Sequence, residues 1–241
     1  MKHPKFARVV SMGLIMVLGS NTIGVSDEPE RLFNGKDLTG WSGDPAVWSV
    51  EDGAITGRTT DQTKLQDNTF LIWAGGELDD FQLKLKFLIR DGNSGIQYRS
   101  QVTNKEKWRV GGYQADIDST NQYTGILYDE LGRGILANRG ERMLIATDGE
   151  HLVTSFDTAA ALENAIRNRQ WNDYTIVARG PVLQHIINGQ LMSETVDQQT
   201  DAREASGVLA LQVHAGPPME VQFRNLELTR LDTEKEESAK D

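Results

Sequence analysis

FQLKLKFLI, residues 81–89, alternates apolar and polar side chains along its whole length. One side of the stretch collects Phe81, Leu83, Leu85, Phe87 and Ile89, and the other collects Gln82, Lys84 and Lys86. This period of two is typical of a strand that buries one face. The stretch therefore predicts a β-strand whose sheet covers a hydrophobic core.

Similar runs follow towards the C-terminus and are separated by Gly, Asn and Asp. They are YTIVAR at 174–179, VLQHIINGQLM at 182–192, GVLALQVH at 207–214 and VQFRNLELTR at 221–230. Asn188-Gly189 divides the second run and is a strong signal for a hairpin turn. Strands at this spacing predict an all-β chain folded as a β-sandwich or jelly roll.

One segment has helical rather than strand spacing. DTAAALENAIRNRQ, residues 157–170, places Ala, Leu and Ile at helical intervals behind Asp157, which is a plausible N-cap. We therefore expect one short surface helix from Asp157 to Arg169.

The ends of the 241-residue chain differ from its middle. Lys2, Lys5 and Arg8 precede an apolar run, and Gly24 and Ser26 supply the small residues of a cleavage site, a pattern typical of a secretory signal peptide at 1–26. An uncleaved N-terminal anchor is the alternative. Residues 27–230 suit one domain, and the charged tail at 231–241 is expected to be disordered.

The leader and the amino-acid composition limit the cellular compartment and the binding partners that we expect. The leader predicts export to the periplasm or beyond the cell, with no membrane span in the mature form, and the chain has no cysteine for a disulfide. The net charge is −10, and removing the three basic residues of the leader leaves 22 basic against 35 acidic residues, or −13. An acidic domain repels phosphate backbones, so nucleic acid is excluded as an expected partner.

GGYQADIDS, residues 111–119, carries the most unusual polar pattern. Tyr113, Ala115 and Ile117 share one face, whereas Gln114, Asp116 and Asp118 share the other. Asp is depleted in strands. Neighbouring residues on one face of a strand are about 6.8 Å apart, so a face that carries an amide and two carboxylates in succession predicts the floor of a site. A solvated edge strand is the alternative.

Other candidates lie on neighbouring predicted strands. GNSGIQYR at 92–99 contributes Asn93 and Arg99, and its two glycines indicate a bend or bulge; a structural ion pair is the other reading of Arg99. His214 shares a polar face with Gln212. The face of His185 is ambiguous, and a structural role is its alternative. Tyr128 in TGILYDE could stack on a ligand or donate a hydrogen bond to it.

Eight ordered stretches resemble the bacterial 3-keto-disaccharide hydrolase family, also described as 3-keto-glycoside lyase/hydratases. They are LFNGKDLTGW at 32–41, WSVEDGAITG at 48–57, DDFQLKLKFLIRDGNSGIQYRS at 79–100, GGYQADID at 111–118, TGILYDE at 124–130, WNDYTIVARG at 171–180, LQHIINGQL at 183–191 and GVLALQVHAGPPMEVQFRNLEL at 207–228. The resemblance implies a concanavalin A-like jelly roll of two antiparallel sheets, with a concave outer face that holds a carbohydrate substrate. It also supports a functional role for His185 and His214.

The chemistry implied by this resemblance begins with a ketone at C3, which acidifies the hydrogen at C2. A base removes that hydrogen, the C1 leaving group departs by β-elimination, and water adds back. Such a substrate requires prior oxidation, so a functional link to a sugar 3-oxidoreductase is expected. We predict Asp116, His214 and His185 as catalytic. In one assignment His214 is the base and Asp116 is its orienter or a cation ligand; in the reverse assignment Asp116 is the base and His214 donates a hydrogen bond to the enolate.

The predicted substrate-binding residues are Gln114, Asp118, Asn93, Arg99, Tyr128 and Gln212. The cofactor is left open: a divalent cation is compatible with these side chains, but no diagnostic metal motif is present. Two other functions remain open. One is a conventional glycoside hydrolase with Asp116 and Asp118 as its carboxylate pair. The other is a non-catalytic carbohydrate-binding module, which the aromatic content of 7% disfavours.

Overall fold

A computed structural model describes residues 28–231, which form seventeen β-strands and one short α-helix. The predicted leader at 1–26 and residues 232–241 of the predicted tail lie outside this range. The elements are β1 (Glu30–Arg31), β2 (Trp41–Ser42), β3 (Trp48–Glu51), β4 (Ala54–Arg58), β5 (Thr69–Trp73), β6 (Phe81–Asp91), β7 (Asn93–Asn104), β8 (Arg109–Asp118), β9 (Leu127–Glu130), β10 (Gly134–Ala137), β11 (Glu141–Ile145), β12 (His151–Ser155), α1 (Ala159–Glu163), β13 (Asn172–Arg179), β14 (Val182–Ile187), β15 (Gln190–Asp197), β16 (Val208–Val213) and β17 (Glu220–Arg230).

The strands of this range form two sheets. The ten-stranded sheet has the order β12-β11-β15-β14-β13-β6-β17-β4-β3, with β1 beside β17, and the seven-stranded sheet has the order β10-β9-β8-β7-β16-β5-β2. Neighbouring strands in these two orders pair antiparallel, except β11 and β15, which run parallel. The long connection between these two strands carries β12, α1, β13 and β14, which is ample for a parallel crossover. The fold is thus the predicted jelly-roll sandwich with one parallel pair added.

The alternation seen in the sequence decides which side chains enter the core. The inner faces of β6, β8 and β16 contribute one continuous cluster, which includes Phe81, Leu83, Leu85, Phe87, Ile89, Tyr113, Ala115, Ile117, Leu209, Leu211 and Val213. Because successive strand residues point to opposite faces, burying these residues turns the intervening polar residues of β8 and β16 to the outer face of the seven-stranded sheet. The core therefore positions the polar face that the sequence singled out.

The hairpin between β14 and β15 has the predicted two-residue turn. Asn188 has φ 50° and Gly189 has φ 82°, values in the left-handed region that Asn and Gly tolerate best. This turn fixes the pairing of β14 with β15.

The helix is shorter than expected, and its N-cap lies one residue after the predicted cap Asp157. Thr158 is the N-cap, and its hydroxyl accepts a hydrogen bond from the Ala161 N–H at 3.2 Å. The carboxylate of Asp157 instead accepts from the Thr158 N–H at 2.7 Å. Regular helix ends at Glu163, and the side-chain amide of Asn164 donates to the Ala160 carbonyl, a local bond that competes with helix propagation. The predicted helix to Arg169 is corrected accordingly.

No helix within residues 28–231 combines the length and the apolar character needed to cross a bilayer.

Candidate active site

The outer face of the seven-stranded sheet carries a cavity of about 440 Å³. Its lining residues are Asn68, Asn93, Gln114, Asp116, Asp118, Tyr123, Ile126, Tyr128, Glu130, Ile135, Gln212 and His214. Seven of these are site residues predicted from the sequence: Asn93, Gln114, Asp116, Asp118, Tyr128, Gln212 and His214. The structure thus brings most of the predicted residues together, including Asp116 and His214.

Strand register explains the convergence. Asp116 of β8 pairs with Gly95 of β7, and the pairing of Leu211 with Ile96 places Gln212 of β16 on the far side of Gly95. Since Gly95 has no side chain, the space between these two residues is filled by Gln114. A Cβ at Gly95 would lie 2.5 Å from Gln114 Cγ and Cδ. The glycine therefore lets Gln114 lie across β7 on the cavity floor.

Asp116 is the buried carboxyl of the cavity. It is 5% exposed, and it accepts hydrogen bonds from Asn93 Nδ2 at 2.8 Å and from Gln114 Nε2 at 3.1 Å. The pKa of Asp116 is raised to about 7, chiefly by burial; the Asn93 and Gln114 hydrogen bonds oppose this rise, and the nearby charge of Asp118 adds to it. A carboxyl that titrates near neutral pH can accept a proton at working pH and release it again.

Replacing Gly95 with alanine should raise the pKa of Asp116 further. The new methyl group displaces Gln114 and removes one of the two side-chain hydrogen bonds that favour the charged carboxylate. The measurement is a carbon-detected NMR titration of the Asp116 carboxyl. Gln114→Ala should raise the pKa in the same direction, and adding Gly95→Ala to it should change nothing more. An additive rise in the double variant would show that Gly95 does not act through Gln114.

Asp118 organises the loop that follows β8. Its Oδ1 accepts from the Thr120 N–H at 3.0 Å, and its Oδ2 accepts from the Thr120 hydroxyl at 2.7 Å and the Gln122 N–H at 3.1 Å. Both carboxylate oxygens are therefore engaged by the chain itself. This arrangement favours a loop anchor at the cavity edge over a nucleophile.

Gln212 presents an amide without a partner. The side chain is fully buried against the protein, and neither its nitrogen nor its oxygen has a hydrogen-bond partner among the described residues. A buried amide left unpaired is unfavourable, so a polar group of a ligand in the cavity is the partner that would satisfy it.

His214 lies at the exposed rim of the same cavity. Its Nδ1 is 2.5 Å from the carbonyl oxygen of Ala215. A carbonyl only accepts, so Nδ1 carries the hydrogen and Nε2 of the neutral ring is free to accept a hydrogen bond. The side-chain hydrogen bonds of Asp116 come from Asn93 and Gln114 instead of His214, so an Asp116 that orients His214 has no support in this geometry.

Tyr128 and Glu130 line the cavity from β9. Burial, and then the charges of Glu130 and Asp116, raise the pKa of Tyr128, so the phenol stays protonated and can donate a hydrogen bond. Burial also raises the pKa of Glu130, against a hydrogen bond from Asn68 Nδ2 at 3.1 Å and the electrostatic effect that His214 has when its ring is protonated. Asn68 Oδ1 in turn accepts from the Ala215 N–H at 3.0 Å, which ties this end of the cavity to the His214 segment.

His185 lies in the core, which corrects its predicted place at the site. It is 1% exposed, and its Nδ1 and Nε2 each lie 3.0 Å from a partner, the Ile126 carbonyl and the Tyr98 hydroxyl. Because the carbonyl only accepts, Nδ1 donates to Ile126 and Nε2 accepts from Tyr98. Burial lowers the pKa of His185 to about 4, so the ring is neutral at pH 7. Its role is to hold the backbone at Ile126, which forms part of the cavity wall.

Arg99 is also outside the cavity, which corrects the second predicted placement. It has φ 47° within a register shift of β7 between Gln97 and Gln101, so the alternation that put it beside Gln97 is interrupted. Its guanidinium donates to the Asp79 carbonyl at 2.6 Å, the Gly180 carbonyl at 2.7 Å and Asp80 Oδ1 at 2.8 Å. Arg99 therefore links the two sheets through a buried ion pair and two hydrogen bonds to backbone carbonyls. This is the structural ion-pair role that the sequence left open.

Several cavity residues were missed by the sequence reasoning. Glu130 lies two positions after Tyr128 and shares its face, so the same alternation would have identified it. Asn68, Tyr123 and Ile126 come from segments without a periodic pattern, and no sequence signal places them. Within residues 28–231, no three His, Asp or Glu side chains are arranged to hold a metal ion.

The chain is a jelly-roll sandwich with an acidic, amide-lined cavity on the outer face of its seven-stranded sheet. The family model of the 3-keto-alpha-glucoside-1,2-lyase-like domain matches residues 28–229, and the chain belongs to this family. No curated protein matches the chain.

Solved structures share the fold at low sequence identity. A Parabacteroides distasonis protein, named only as a candidate glycosyl hydrolase, has a TM-score of 0.56 and 20% identity over 85% of this chain and 94% of its own. A second such protein from the same organism has a TM-score of 0.55 and 18% identity over 85% and 100% of the two chains. A carbohydrate-binding module from Bacillus subtilis has a TM-score of 0.52 and 15% identity over 78% and 94%. At these identities the similarity shows the fold alone.

Proposed function

We propose that this protein cleaves 3-keto-glycosides by elimination across C1 and C2, with Asp116 as the base. The observation that carries the proposal is a buried carboxyl with a pKa of about 7 on the floor of a cavity whose other polar groups are amides, phenols, a histidine and two further carboxyls. A ketone at C3 makes the C2 hydrogen acidic enough for such a base. An unoxidised glycoside offers no comparable hydrogen.

The steps balance with water as the only other reactant. Asp116 takes the proton from C2, and the electron pair of the C2–H bond moves onto the C3 carbonyl as an enolate. The enolate collapses to a C1=C2 double bond as the C1–O bond breaks, and the leaving oxygen takes a proton. Water then adds its hydroxyl to C1 and its hydrogen to C2, which completes a net hydrolysis.

Three cavity residues support the charged intermediates. The unpaired Gln212 amide is the donor we assign to the enolate oxygen, because preorganised donors stabilise charge that develops during the reaction. The Tyr128 phenol is assigned to the leaving oxygen, and His214 to the rim that holds the sugar. Of the two assignments left open by the sequence, the one with Asp116 as base fits the hydrogen bonds of Asp116 better.

The conventional glycoside hydrolase is the second candidate. Asp118 suits it poorly, because its oxygens are occupied by the loop. Glu130 is a better second carboxyl, since it lines the same cavity and burial raises its pKa too. A two-carboxylate mechanism would therefore use Asp116 and Glu130 on an unoxidised substrate.

Incubation with 3-keto-glucosides and their unoxidised parents in heavy water separates these candidates. We expect release of 3-keto-glucose that carries deuterium at C2, and no cleavage of the parents. Cleavage of an unoxidised parent, or cleavage without exchange at C2, would contradict the elimination. A parallel reaction with chelator reports whether a divalent cation takes part.

The proposal has consequences beyond the cavity. The substrate must first be oxidised at C3, so the proposal includes a functional link to a sugar 3-oxidoreductase. From the leader-like pattern at 1–26 we also propose that this reaction takes place outside the cytoplasm, and detection of the mature chain in a periplasmic or culture fraction would test this.

A further inference from the structure

One side of the cavity is built from apolar surface. Tyr123, Ile126, Tyr128 and Ile135, here called the apolar wall, lie on β9, on β10 and in the loop after β8. Tyr123 is 39% exposed and Ile135 is 44% exposed, so neither is buried by the chain itself. Exposed large apolar groups that converge on a cavity mark a place where a ligand buries them.

Strand register separates this wall from the polar groups. Ile135 of β10 pairs with Tyr128 of β9, which pairs with Gln114 of β8. The wall therefore begins where the polar floor ends. On the other side of Asp116, β7 and β16 supply the amides of Asn93 and Gln212. The base thus lies between a polar side suited to a keto-sugar and an apolar side.

The apolar wall is held in place by buried polar groups. Arg139 Nη1 donates to the carbonyls of Asn121 at 2.6 Å and Thr124 at 2.8 Å, and thereby anchors the loop that presents Tyr123. The Ser193 hydroxyl donates to the Gly125 carbonyl at 2.8 Å, beside the contact between His185 and Ile126. A preformed apolar surface binds apolar groups without the cost of ordering a loop.

The wall offers few groups that a second sugar could use. The polar side-chain atoms of the wall are two hydroxyls: that of Tyr123, which accepts a hydrogen bond from Gln122 Nε2 at 2.9 Å, and that of Tyr128, which is assigned to the leaving oxygen. Ile126 and Ile135 have none. Glu130 and Asn68, at the neighbouring end of the cavity, are hydrogen-bonded to each other. A sugar leaving group would bury several hydroxyls against this surface without partners, which is unfavourable.

We propose that the apolar wall is the leaving-group subsite and that it selects 3-keto-glucosides of hydrocarbon-rich alcohols over 3-keto-disaccharides. This inference rests on the proposed function, because it takes the bond next to Asp116 as the one that breaks. The leaving alcohol then packs against Tyr123 and Ile135 while the keto-sugar contacts Gln212 and Asn93.

The test compares ethyl and hexyl 3-keto-glucosides, in both anomers, with a 1,6-linked disaccharide oxidised at C3 of its non-reducing ring. All three leaving groups are primary alcohols, so differences in rate report the subsite. Each buried methylene is worth about a fourfold gain, so we expect kcat/KM for hexyl to exceed that for ethyl by about tenfold or more. Equal values, or preference for the disaccharide, would overturn the proposal.

Variants locate the effect. Ile135→Ser should reduce the hexyl-to-ethyl ratio severalfold, and since Ile135 is exposed, the fold should tolerate it. Leu152→Ser is the matched control: Leu152 is 51% exposed on β12 of the other sheet and should leave the ratio unchanged. An unchanged ratio in Ile135→Ser would overturn the assignment of the wall.

Failure of the subsite and failure of the proposed function give different results. Cleavage of all three substrates with equal kcat/KM would contradict the proposed subsite but would leave the proposed elimination intact. Calorimetry with unoxidised ethyl and hexyl glucosides tests the wall without any reaction. If the protein binds the hexyl compound more tightly but cleaves none of the 3-keto substrates, the apolar subsite would be supported and the proposed function would be contradicted.

Discussion

Asp116→Asn is expected to lower kcat for 3-keto-glucoside cleavage by about two to four orders of magnitude, the usual contribution of a general base. Asparagine keeps the shape of the side chain but cannot take the proton from C2. The measurement is steady-state kinetics on a 3-keto-glucoside that the wild-type protein cleaves. Asp173→Asn, an exposed change on β13, is the matched control and should retain full activity.

The pH profile of the wild-type protein should agree with this role. The base must be ionised, and the pKa of Asp116 is about 7, so kcat/KM should fall as the pH is lowered through 7. A profile that stays flat from pH 8 to pH 5 would assign the base to another group, as would a residual rate above a tenth of wild type in Asp116→Asn.

Stability data distinguish a lost base from a lost fold. The native pKa of Asp116, about 7, lies above its ordinary value of 3.8, so the native state holds this proton more tightly than the unfolded chain does. The stabilising contribution is present below pH 4 and is lost as the pH rises to 7. Asparagine does not titrate, so the Tm of Asp116→Asn relative to wild type should rise between pH 4.5 and pH 8.

Arg99→Ala is expected to destabilise the protein by about 3–5 kcal/mol, the cost of removing one member of a buried ion pair. Asp80 is 7% exposed and would be left without its cation, and of the two hydrogen bonds to its Oδ1 only the one from the Gly180 N–H would remain. The loss would also release the carbonyls of Asp79 and Gly180, which belong to the connections of the opposite sheet. Urea unfolding measures the difference in free energy.

An exposed ion pair provides the comparison. Lys86 lies 2.5 Å from Asp173 on the solvent side of the ten-stranded sheet, and Lys86→Ala should cost less than about 1 kcal/mol. In the double variant Arg99→Ala with Asp80→Ala, part of the stability should return, because no unpaired charge remains. If Arg99→Ala lowers the free energy of unfolding by no more than Lys86→Ala does, Arg99 does not stabilise the packing of the two sheets.

Local patterns in the sequence predicted much of the fold. The alternation in FQLKLKFLI and in GGYQADIDS, and the Asn188-Gly189 turn, each concern neighbours in the chain whose relation depends only on strand geometry. The same alternation placed Gln114, Asp116, Gln212 and His214 on a polar face. It placed Arg99 on that face too, because a register shift leaves no mark in the period of apolar residues.

By itself, then, the sequence determined that the chain forms a β-sandwich and which face of β8 and β16 is polar. Only the tertiary structure decided which polar residues meet. Gly95 leaves room for Gln114, and segments without periodicity bring Asn68, Tyr123 and Ile126 to the cavity. It also decided that His185 supports the core and that Asp116 titrates near 7. Burial and hydrogen bonding set these properties, and both depend on residues that lie far apart in the chain and meet only after the two sheets have packed.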